Sequence, residues 1–595
     1  MLAKTVKVEH TMRRRRTTIA VAGAAALTVS LTACGGGSSS GDGGASGGAA
    51  KFDAAVTGVV NSSDAKGGTL RYANEGEWDS TDPGDTYYGY SWNFARYYTR
   101  TLVTYKSAPG AEGATLVPDL ATSLGKSSDG GKTWTYTLKD GLKFEDGSPI
   151  TSGDIRYAVE RQLDKTTFPH GPTYFNDFLA DVPEGYSVYK DKKDLDSIET
   201  PDDKTIVFHL NQAFSGFDYF AALPSTVPVP KDKDTGSKYK SSVVSSGPYK
   251  FADYQSGKSF KLVRNDQWDA ATDEVRPALP DNIDVTLNVN KDDIDQRLLS
   301  GDLDVSVTQL GIGAAAKAQV LADPEQKKNA DSAPLNRTWF TSINSEVAPF
   351  DNIDCRKAVI YAADRTGYQT AFGGSIGGGD VATSLLPPTI PGQQKIDLYP
   401  VSSPTGDEAK AKEALTACGK PDGFETSYSY RVERPAEKAA AESMQQSLAK
   451  VGIKLTLKPY PQSDYFSLYA GKPSFAKKEG LGLMANGWGA DWADGYGFLS
   501  QLVDSRVIRE TGGASNLSVR DPEVDKLIDL AVNEQDTAKR EQEWADIDKK
   551  VMEGAWVYPG VWAKVLLYRP KTLTNVFVSS SYDGYDYSAL GVAKS

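Results

Sequence analysis

The sequence predicts an α/β protein built of more than one lobe. The chain has 595 residues, which is beyond the size at which one hydrophobic core keeps growing. In its C-terminal half, residues 426–430 predict a strand, Pro435 opens a helix that ends before Gly452, and Ile453 begins an alternating strand. A strand, helix, strand unit of this length implies parallel pairing with a right-handed crossover.

The N-terminal half predicts strands separated by short helices. Residues 68–73 have the composition of an opening strand, and residues 93–105 predict a short helix that leads into the next strand. Thr151 is expected to cap a helix that carries an apolar face. Residues 205–210 predict a further strand after a turn.

One hairpin is also predicted in this half. Apolar and threonine residues alternate over 133–138, which is the period of a half-buried strand. Asp140 and Gly141 then form a turn dipeptide, and the apolar residues Leu142 and Phe144 follow it. We therefore expect residues 133–138 to pair with residues 142–144.

Charge and composition argue against a nucleic-acid-binding role. Apolar residues make up 39% and charged residues 24% of the chain, as in ordinary globular proteins. The formal net charge is -12. The first 33 residues hold six Lys or Arg against one Glu, a net +5, so the remainder carries -17. Phosphate binding needs a concentrated basic surface, which the sequence after this N-terminal segment does not contain.

The N-terminus predicts an export signal over residues 1–33. Arg13 to Arg16 form its charged region, residues 19–31 its apolar region, and small residues precede Cys34. This end resembles the lipobox of bacterial lipoproteins, which implies that the Cys34 thiol is lipidated and that the chain is cut just before it. The alternative is an unlipidated cysteine after an ordinary signal.

A flexible tether is predicted to follow, over residues 34–65. Residues 35–50 are nearly all Gly, Ser and Ala, a composition that cannot build a core. Such a tether would let the folded body stand away from the membrane.

Two cysteines remain, Cys355 and Cys418. An even number of cysteines outside the cytoplasm predicts one disulfide. Two separate buried thiols are the alternative.

An exported serine hydrolase is a remote alternative function. Residues 373–377 match the nucleophile-elbow pattern, with Ser375 as the nucleophile. However, Ser375 follows a predicted helix over 355–364, whereas an elbow joins a strand to a helix. The general base of such a hydrolase should follow the nucleophile, but all three histidines of the sequence precede Ser375: His10, His170 and His209. The sequence also shows no cluster of residues with the spacing of metal ligands. We predict a loop here, no enzyme activity, no metal site and no cofactor.

The segment 486–496 is the most informative part of the chain. Gly487 and Gly489 flank Trp488, so the backbone can approach a ligand closely while aromatic rings build apolar walls. Asp491 lies among these rings, and a carboxylate in a cleft of low dielectric is costly unless a cation pairs with it. A protonated ligand amine would supply that cation. The alternative is a turn or capping Asp.

Separated landmarks are spread from about residue 67 to the end of the chain: Thr81-Asp82-Pro83, 116–121, 140–151, 246–249, Phe350-Asp351, 362–365 and 487–491. In these landmarks and their order the chain resembles the large peptide- and nickel-type solute-binding proteins of ABC importers, family 5.

The resemblance implies a two-lobed periplasmic-binding-protein-like clamp whose lobes are joined by hinge strands. An extra β-rich domain of lobe I is expected over 108–221, and lobe II over 336–557. Lobe I itself is expected to comprise three segments: 66–107, 222–335 and 558–595.

The resemblance also implies the function and its residues. Asp491 would pair with the N-terminal ammonium of a small peptide, Gly487 and Gly489 would pair with its backbone, and Trp488 would form a wall. The protein would be a monomer, lipid-anchored on the outer face of the cytoplasmic membrane, that hands its ligand to a membrane permease. A different solute (sugar, opine or metal chelate) and a sensor role stay open as alternatives.

Overall fold

The structure is a computed structural model that describes residues 51–191, 193–307 and 311–593. The predicted signal over 1–33, the lipidation of Cys34 and the first part of the tether lie outside these residues. Within them, no helix combines the length and the apolar character that a membrane crossing requires.

The first sheet has five strands and contains the predicted opening strand, Thr69–Ala73. This strand lies between two parallel neighbours and buries alternate side chains, among them Leu70 and Tyr72. The side chains on one face of this strand therefore contribute to the core of the first lobe. The strand order is Val305–Ser306, Thr69–Ala73, Asn282–Thr286, Ser259–Arg264 and Tyr249–Gln255.

The predicted hairpin over 133–144 is wrong. Strand Thr133–Thr137 pairs instead with Thr205–His209, in the register Trp134 to Phe208. Residues 142–150 form a separate turn that is closed by a bridge between Lys143 and Pro149. The alternation of apolar residues correctly identified the buried face of the strand. It does not identify the strand that pairs with it, because any other strand with one apolar face can do so. The four-stranded sheet has the order Lys126–Ser128, Thr133–Thr137, Thr205–His209 and Ile198–Glu199.

The two helix predictions in this half have different outcomes. Helix Ser152–Gln162 begins after Thr151 as predicted, and the Thr151 backbone N–H donates to Asp154 Oδ2 at 2.8 Å. The helix expected within 93–105 lies earlier, at Gly89–Ala95, although strand Val103–Tyr105 does follow it. The aromatic residues after this helix fill the core from a non-helical segment, so their burial does not mark a helix.

The second sheet has six strands and confirms the predicted C-terminal unit. Glu425–Arg431 runs parallel to Lys454–Tyr460, and helix Pro435–Ala449 connects them. The strand order is Gly379–Val381, Val557–Tyr568, Ala330–Ile343, Leu483–Gly489, Glu425–Arg431 and Lys454–Tyr460.

Two long antiparallel strands, Ala330–Ile343 and Val557–Tyr568, join the two halves of the protein, and we call them the hinge strands. Ala333 and Val565 belong to the core that contains Leu70, whereas the opposite halves of the same strands pack into the core of the second sheet. Their register shifts between Pro334 and Thr338, close to the predicted border at 335/336. The exact domain borders stay predictions.

The last part of the predicted tether, residues 51–65, is instead packed against the body. Ala55 and Val60 are buried, and Val60 pairs with Val576. The Ala55 backbone N–H donates to Asp331 on a hinge strand at 2.9 Å. The composition changes after residue 50, and these apolar residues provide contacts that Gly and Ser cannot make.

The α-helices of the described residues are short to medium in length. They span Ala54–Thr57, Gly89–Ala95, Ser152–Gln162, Tyr174–Phe178, Phe217–Ala221, Lys291–Ser300, Ala314–Ala322, Pro324–Lys327, Ile353–Ala362, Arg365–Ala371, Gly374–Gly377, Glu408–Ala417, Pro435–Ala449, Pro473–Lys478, Gly495–Val503, Pro522–Asn533 and Thr537–Glu553.

The predicted disulfide is confirmed. Cys355 lies in helix Ile353–Ala362, and Cys418 caps the C-terminus of helix Glu408–Ala417. The bond therefore ties two neighbouring helices of the second lobe together.

We predict that removing the disulfide destabilises the protein. The two cysteines are 63 residues apart, and closing a loop of that length restricts the unfolded chain by about 4 kcal/mol. Urea unfolding of the double Cys355→Ser, Cys418→Ser variant should show a loss of that order relative to wild type. Rapid alkylation of both thiols in the native, unreduced protein would contradict the bond itself.

Candidate ligand-binding site

Strand Leu483–Gly489 places the predicted site at the centre of the second sheet. Along one edge it pairs with a hinge strand, in the register Trp339 to Gly487 and Arg337 to Gly489. Along its other edge it pairs with strand Glu425–Arg431, but this pairing ends at Met484. Among the described residues, the edge at Gly487 and Gly489 therefore has no strand partner.

The two glycines direct backbone groups toward this open edge. The Gly487 N–H donates to the Asn486 side chain at 2.8 Å, whereas the Ala490 N–H donates to Asn336 on the hinge strand at 2.7 Å. Because backbone groups alternate sides along a strand, Gly487 and Gly489 both face away from the hinge strand. Their role as backbone-pairing positions for a ligand stays a prediction.

Neighbouring side chains explain why these positions are glycines. A Cβ atom at Gly487 would overlap the Trp339 ring, and one at Gly489 would lie 2.7 Å from Arg337 Nη2. The side chains of Trp339 and Arg337 thus cross the strand where it lacks side chains of its own.

Asp491 lies two residues after the end of this strand, between segments of the two lobes. Its Oδ2 accepts a hydrogen bond from the Tyr87 hydroxyl at 2.9 Å and another from the Tyr174 hydroxyl. The residue is partly buried and borders a cavity of about 30 Å³, which has room for one or two waters. Asp491 is therefore half-buried rather than fully open to solvent.

Desolvation raises the pKa of Asp491 from 3.8 to about 6. The hydrogen bonds from Tyr174 and Tyr87 oppose this shift, and so does the more distant charge of Arg337. Burial prevails, so the surroundings of this carboxyl group favour its neutral form.

Trp492 anchors the neighbouring loop in the other lobe. Its side chain is 1% exposed. It packs edge-on against Tyr174 and Phe220, with ring centroids 4.8 and 5.5 Å away, and it stacks on Tyr219 at 6.0 Å. All three partners belong to the 108–221 region. We call this contact the aromatic seam, with the members Tyr174, Phe178, Phe214, Tyr219, Phe220, Trp492 and Tyr496.

Polar contacts surround the aromatic seam. Arg540 lies 3.8 Å from the Asp494 carboxylate and donates to Ser215 Oγ at 3.3 Å. The Ser215 N–H in turn donates to the Val532 carbonyl at 3.4 Å. Asp494 also caps helix Gly495–Val503 by accepting from the Tyr496 N–H. The seam therefore has an apolar centre and a hydrogen-bonded border.

Trp488 lies on the other face of the strand from Trp339. Its Nε1–H donates to the Gly497 carbonyl at 3.4 Å, and its ring packs beside the apolar core that contains Phe498. The indole is only partly buried. Its role as a wall of the ligand site stays a prediction.

Two arginines at this site were missed by the sequence reasoning. The guanidinium groups of Arg337 and Arg434 lie 5.2 and 5.6 Å from the Trp339 ring centroid. Desolvation lowers the pKa of both, that of Arg434 to about 10. The available signal was Arg337 itself, a cation that alternates with Trp339 on a strand otherwise rich in apolar and uncharged residues.

The structure provides no support for a hydrolase site at Ser375. Residues 374–377 form one helical turn rather than the junction of a strand and a helix, which corrects the predicted loop. His170 and His209 lie beside Asp85 and Glu199, at 3.3 and 3.0 Å. In the described ranges, no three His, Cys, Asp or Glu side chains converge as a metal site would require.

Comparison with known proteins identifies the family. Residues 115–509 match the model of the bacterial extracellular solute-binding proteins, family 5 middle region. The chain belongs to this family. It is 42% identical to a solved structure named clavulanic acid biosynthesis oligopeptide binding protein 2, with a TM-score of 0.88, covering 92% of this chain and 99% of that one.

Two curated relatives have lower identity. The heme-binding protein A of Haemophilus influenzae is 29% identical over 451 residues, which cover 71% of this chain and 75% of the relative. The probable D,D-dipeptide-binding periplasmic protein DdpA of Escherichia coli is 28% identical over 493 residues, covering 80% and 85%. These relatives are named as binding proteins.

The family assignment confirms the predicted two-lobed clamp fold. The protein is thus an extracytoplasmic solute-binding protein of the ABC-importer type and not an enzyme.

We predict that the aromatic seam contributes strongly to stability. Trp492→Ala removes a fully buried ring and should lower the free energy of unfolding by roughly 3 to 5 kcal/mol, and Trp492→Phe by less. Trp488→Ala is the matched control, with a smaller loss expected because that indole is partly exposed. Urea unfolding measures all three, and equal losses for the two alanine variants would contradict the assignment.

Proposed function

We propose that this protein captures small peptides outside the cytoplasmic membrane, with Asp491 binding the peptide amine, and delivers them to the permease of an ABC importer. The observation that supports this proposal is the position of the Asp491 carboxylate and the partners that it has there. Its carboxylate lies between the two lobes and accepts bonds from two phenols. Within the described residues it forms no ion pair with a Lys or Arg.

A peptide ammonium is suited to this site. Neutral phenols satisfy part of the hydrogen-bonding capacity of Asp491 but do not neutralise its charge, and a protonated amine would do both. Two donors share Oδ2, whereas Oδ1 accepts no hydrogen bond from the part of the chain that the structure describes.

The strand edge next to Asp491 supplies the second requirement. Gly487 presents its carbonyl there, because its N–H is bound to the Asn486 side chain, and Gly489 presents its N–H and carbonyl. A ligand main chain could pair with these groups as an added strand. Main-chain pairing does not depend on the ligand's side chains, so peptides of varied sequence could bind.

Ligand binding would also favour closure of the clamp. Asp491 follows a strand of the second lobe, whereas Tyr87 and Tyr174 come from the first lobe and its 108–221 region. A ligand that contacts both sides binds the closed form more tightly and shifts the population toward it.

We further propose that Cys34 carries the lipid anchor, that residues 34–50 are the tether, and that the protein acts as a monomer. The lipobox-like sequence before Cys34 and the Gly- and Ser-rich composition after it support the anchor and the tether.

Asp491→Asn should weaken the binding of free-amine peptides selectively. Loss of the charged acceptor is expected to cost roughly 10- to 100-fold in Kd for Ala-Ala-Ala, with little change for its N-acetylated form. Calorimetry of wild type and variant measures both. Asp422→Asn, at an exposed position, is the matched control and should change neither. Equal losses for the two ligands would reject the amine-binding role.

Peptide affinity should fall as the pH is lowered through about 6. The pKa of Asp491 is raised to about 6, and only the ionised carboxylate pairs with an ammonium. A peptide amine stays protonated in this window, since its pKa is about 8. We expect up to a tenfold loss per pH unit below 6 in wild type, and a flat profile in Asp491→Asn.

The stability of the ligand-free protein should respond in the opposite direction. Because the folded pKa of Asp491 exceeds the unfolded value, its favourable contribution is present below pH 4 and is lost as the pH rises through 6. Asp548 shifts in the same direction, so the measurement is the difference between wild type and Asp491→Asn in urea unfolding. A difference that does not change with pH would contradict the raised pKa.

A further inference from the structure

Arg337 holds its guanidinium against the Trp339 ring, beside the predicted ligand site. It is partly buried beside Gly489 and over Trp339. Within the described residues it makes neither a hydrogen bond nor an ion pair. A guanidinium carries five N–H donors, and a desolvated cation with unused donors is costly unless an anion or water satisfies it.

Nearby acidic groups are engaged elsewhere. Asp583 accepts from the Asn336 N–H at 2.7 Å, and Asp491 accepts from Tyr87 and Tyr174. Both carboxylates attract Arg337 only from beyond ion-pair distance. Neither one therefore neutralises Arg337 directly.

Nearby cations increase the demand for an anion. Arg431 repels Arg337 and is itself paired with Glu437, its Nε lying 3.0 Å from Oε2. Arg434 shares the same carboxylate from 3.8 Å. Arg337 and Arg434 thus place two positive charges against one indole ring, and the Glu437 carboxylate beside Arg434 is already paired with a third arginine, Arg431.

The position of Arg337 relates it to the ligand site. Its side chain crosses Gly489 on the adjoining strand, and the span of an arginine side chain exceeds the strand spacing of about 4.8 Å. The guanidinium therefore reaches toward the open edge of that strand, two residues before Asp491.

We propose that Arg337 binds a carboxylate of the ligand, so that this protein prefers peptides with an acidic group close to the amine end. The inference rests on the proposed peptide-binding role. The carboxylate could come from an Asp or Glu side chain or from the C-terminus of a very short peptide. In either case a planar carboxylate matches the paired donors of a guanidinium.

Calorimetry with matched peptides tests the proposal. Wild type should bind Ala-Glu-Ala roughly tenfold more tightly than Ala-Gln-Ala if a side chain supplies the carboxylate. If the peptide C-terminus supplies the carboxylate, wild type should bind Ala-Ala-Ala more tightly than the C-terminal amide of the same peptide, by a similar factor. Arg337→Gln should bring the affected ratio to about one, and Arg337→Lys should restore part of it. The proposal is overturned if Arg337→Gln changes neither ratio.

Two controls separate this result from other failures. Arg520→Gln, at an exposed position, should leave both ratios unchanged, and circular dichroism checks that each variant folds. If wild type binds none of the peptides, the proposed function fails, and the role of Arg337 is then tested separately with the dicarboxylate glutarate. A rise in the melting temperature of wild type with glutarate that Arg337→Gln abolishes supports carboxylate binding by Arg337. No such rise in wild type rejects it.

Discussion

The burial of Trp492 among the rings of the 108–221 region is the contact on which the site depends. Burying an aromatic side chain of this size removes roughly 150 to 250 Å² from water, worth up to about 4 to 6 kcal/mol. The loop that carries Trp492 is thereby fixed against the opposite lobe. Asp491, one residue earlier, is held in place under Tyr174, whose ring packs on the same indole.

Electrostatics then give this position its chemical character. Packing beside the seam partly desolvates Asp491, which raises its pKa. A carboxylate in such surroundings favours a cationic partner. A short distance along the sheet, Arg337 and Arg434 converge on Trp339 and favour an anionic one. Opposite charges therefore lie near the same end of strand Leu483–Gly489, beside its open edge, and this arrangement supports the proposal of a ligand with both an amine and a carboxylate.

The sequence was reliable where local rules decide the structure. Thr151 begins a helix because its cap is local, and residues 425–460 form a parallel unit because the length of the crossover restricts the pairing. It failed where partners are distant. Residues 133–137 pair with a strand about 70 positions away rather than with the segment after the nearest turn. Residues 51–65 pack against a surface that is formed by distant parts of the chain, so no local sequence pattern predicts this contact.

The sequence by itself determined the family, the α/β class, the cysteine pair and the importance of residues 486–496, because these features depend on residue type and local order. Only the tertiary structure decided which groups meet Asp491, that Trp492 belongs to the core of the other lobe, and that Arg337 crosses Gly489 with no hydrogen bond or ion pair to any described residue. These contacts join residues that are about 150 to 400 positions apart. Chain folding sets such distances, and no local pattern in the sequence encodes them.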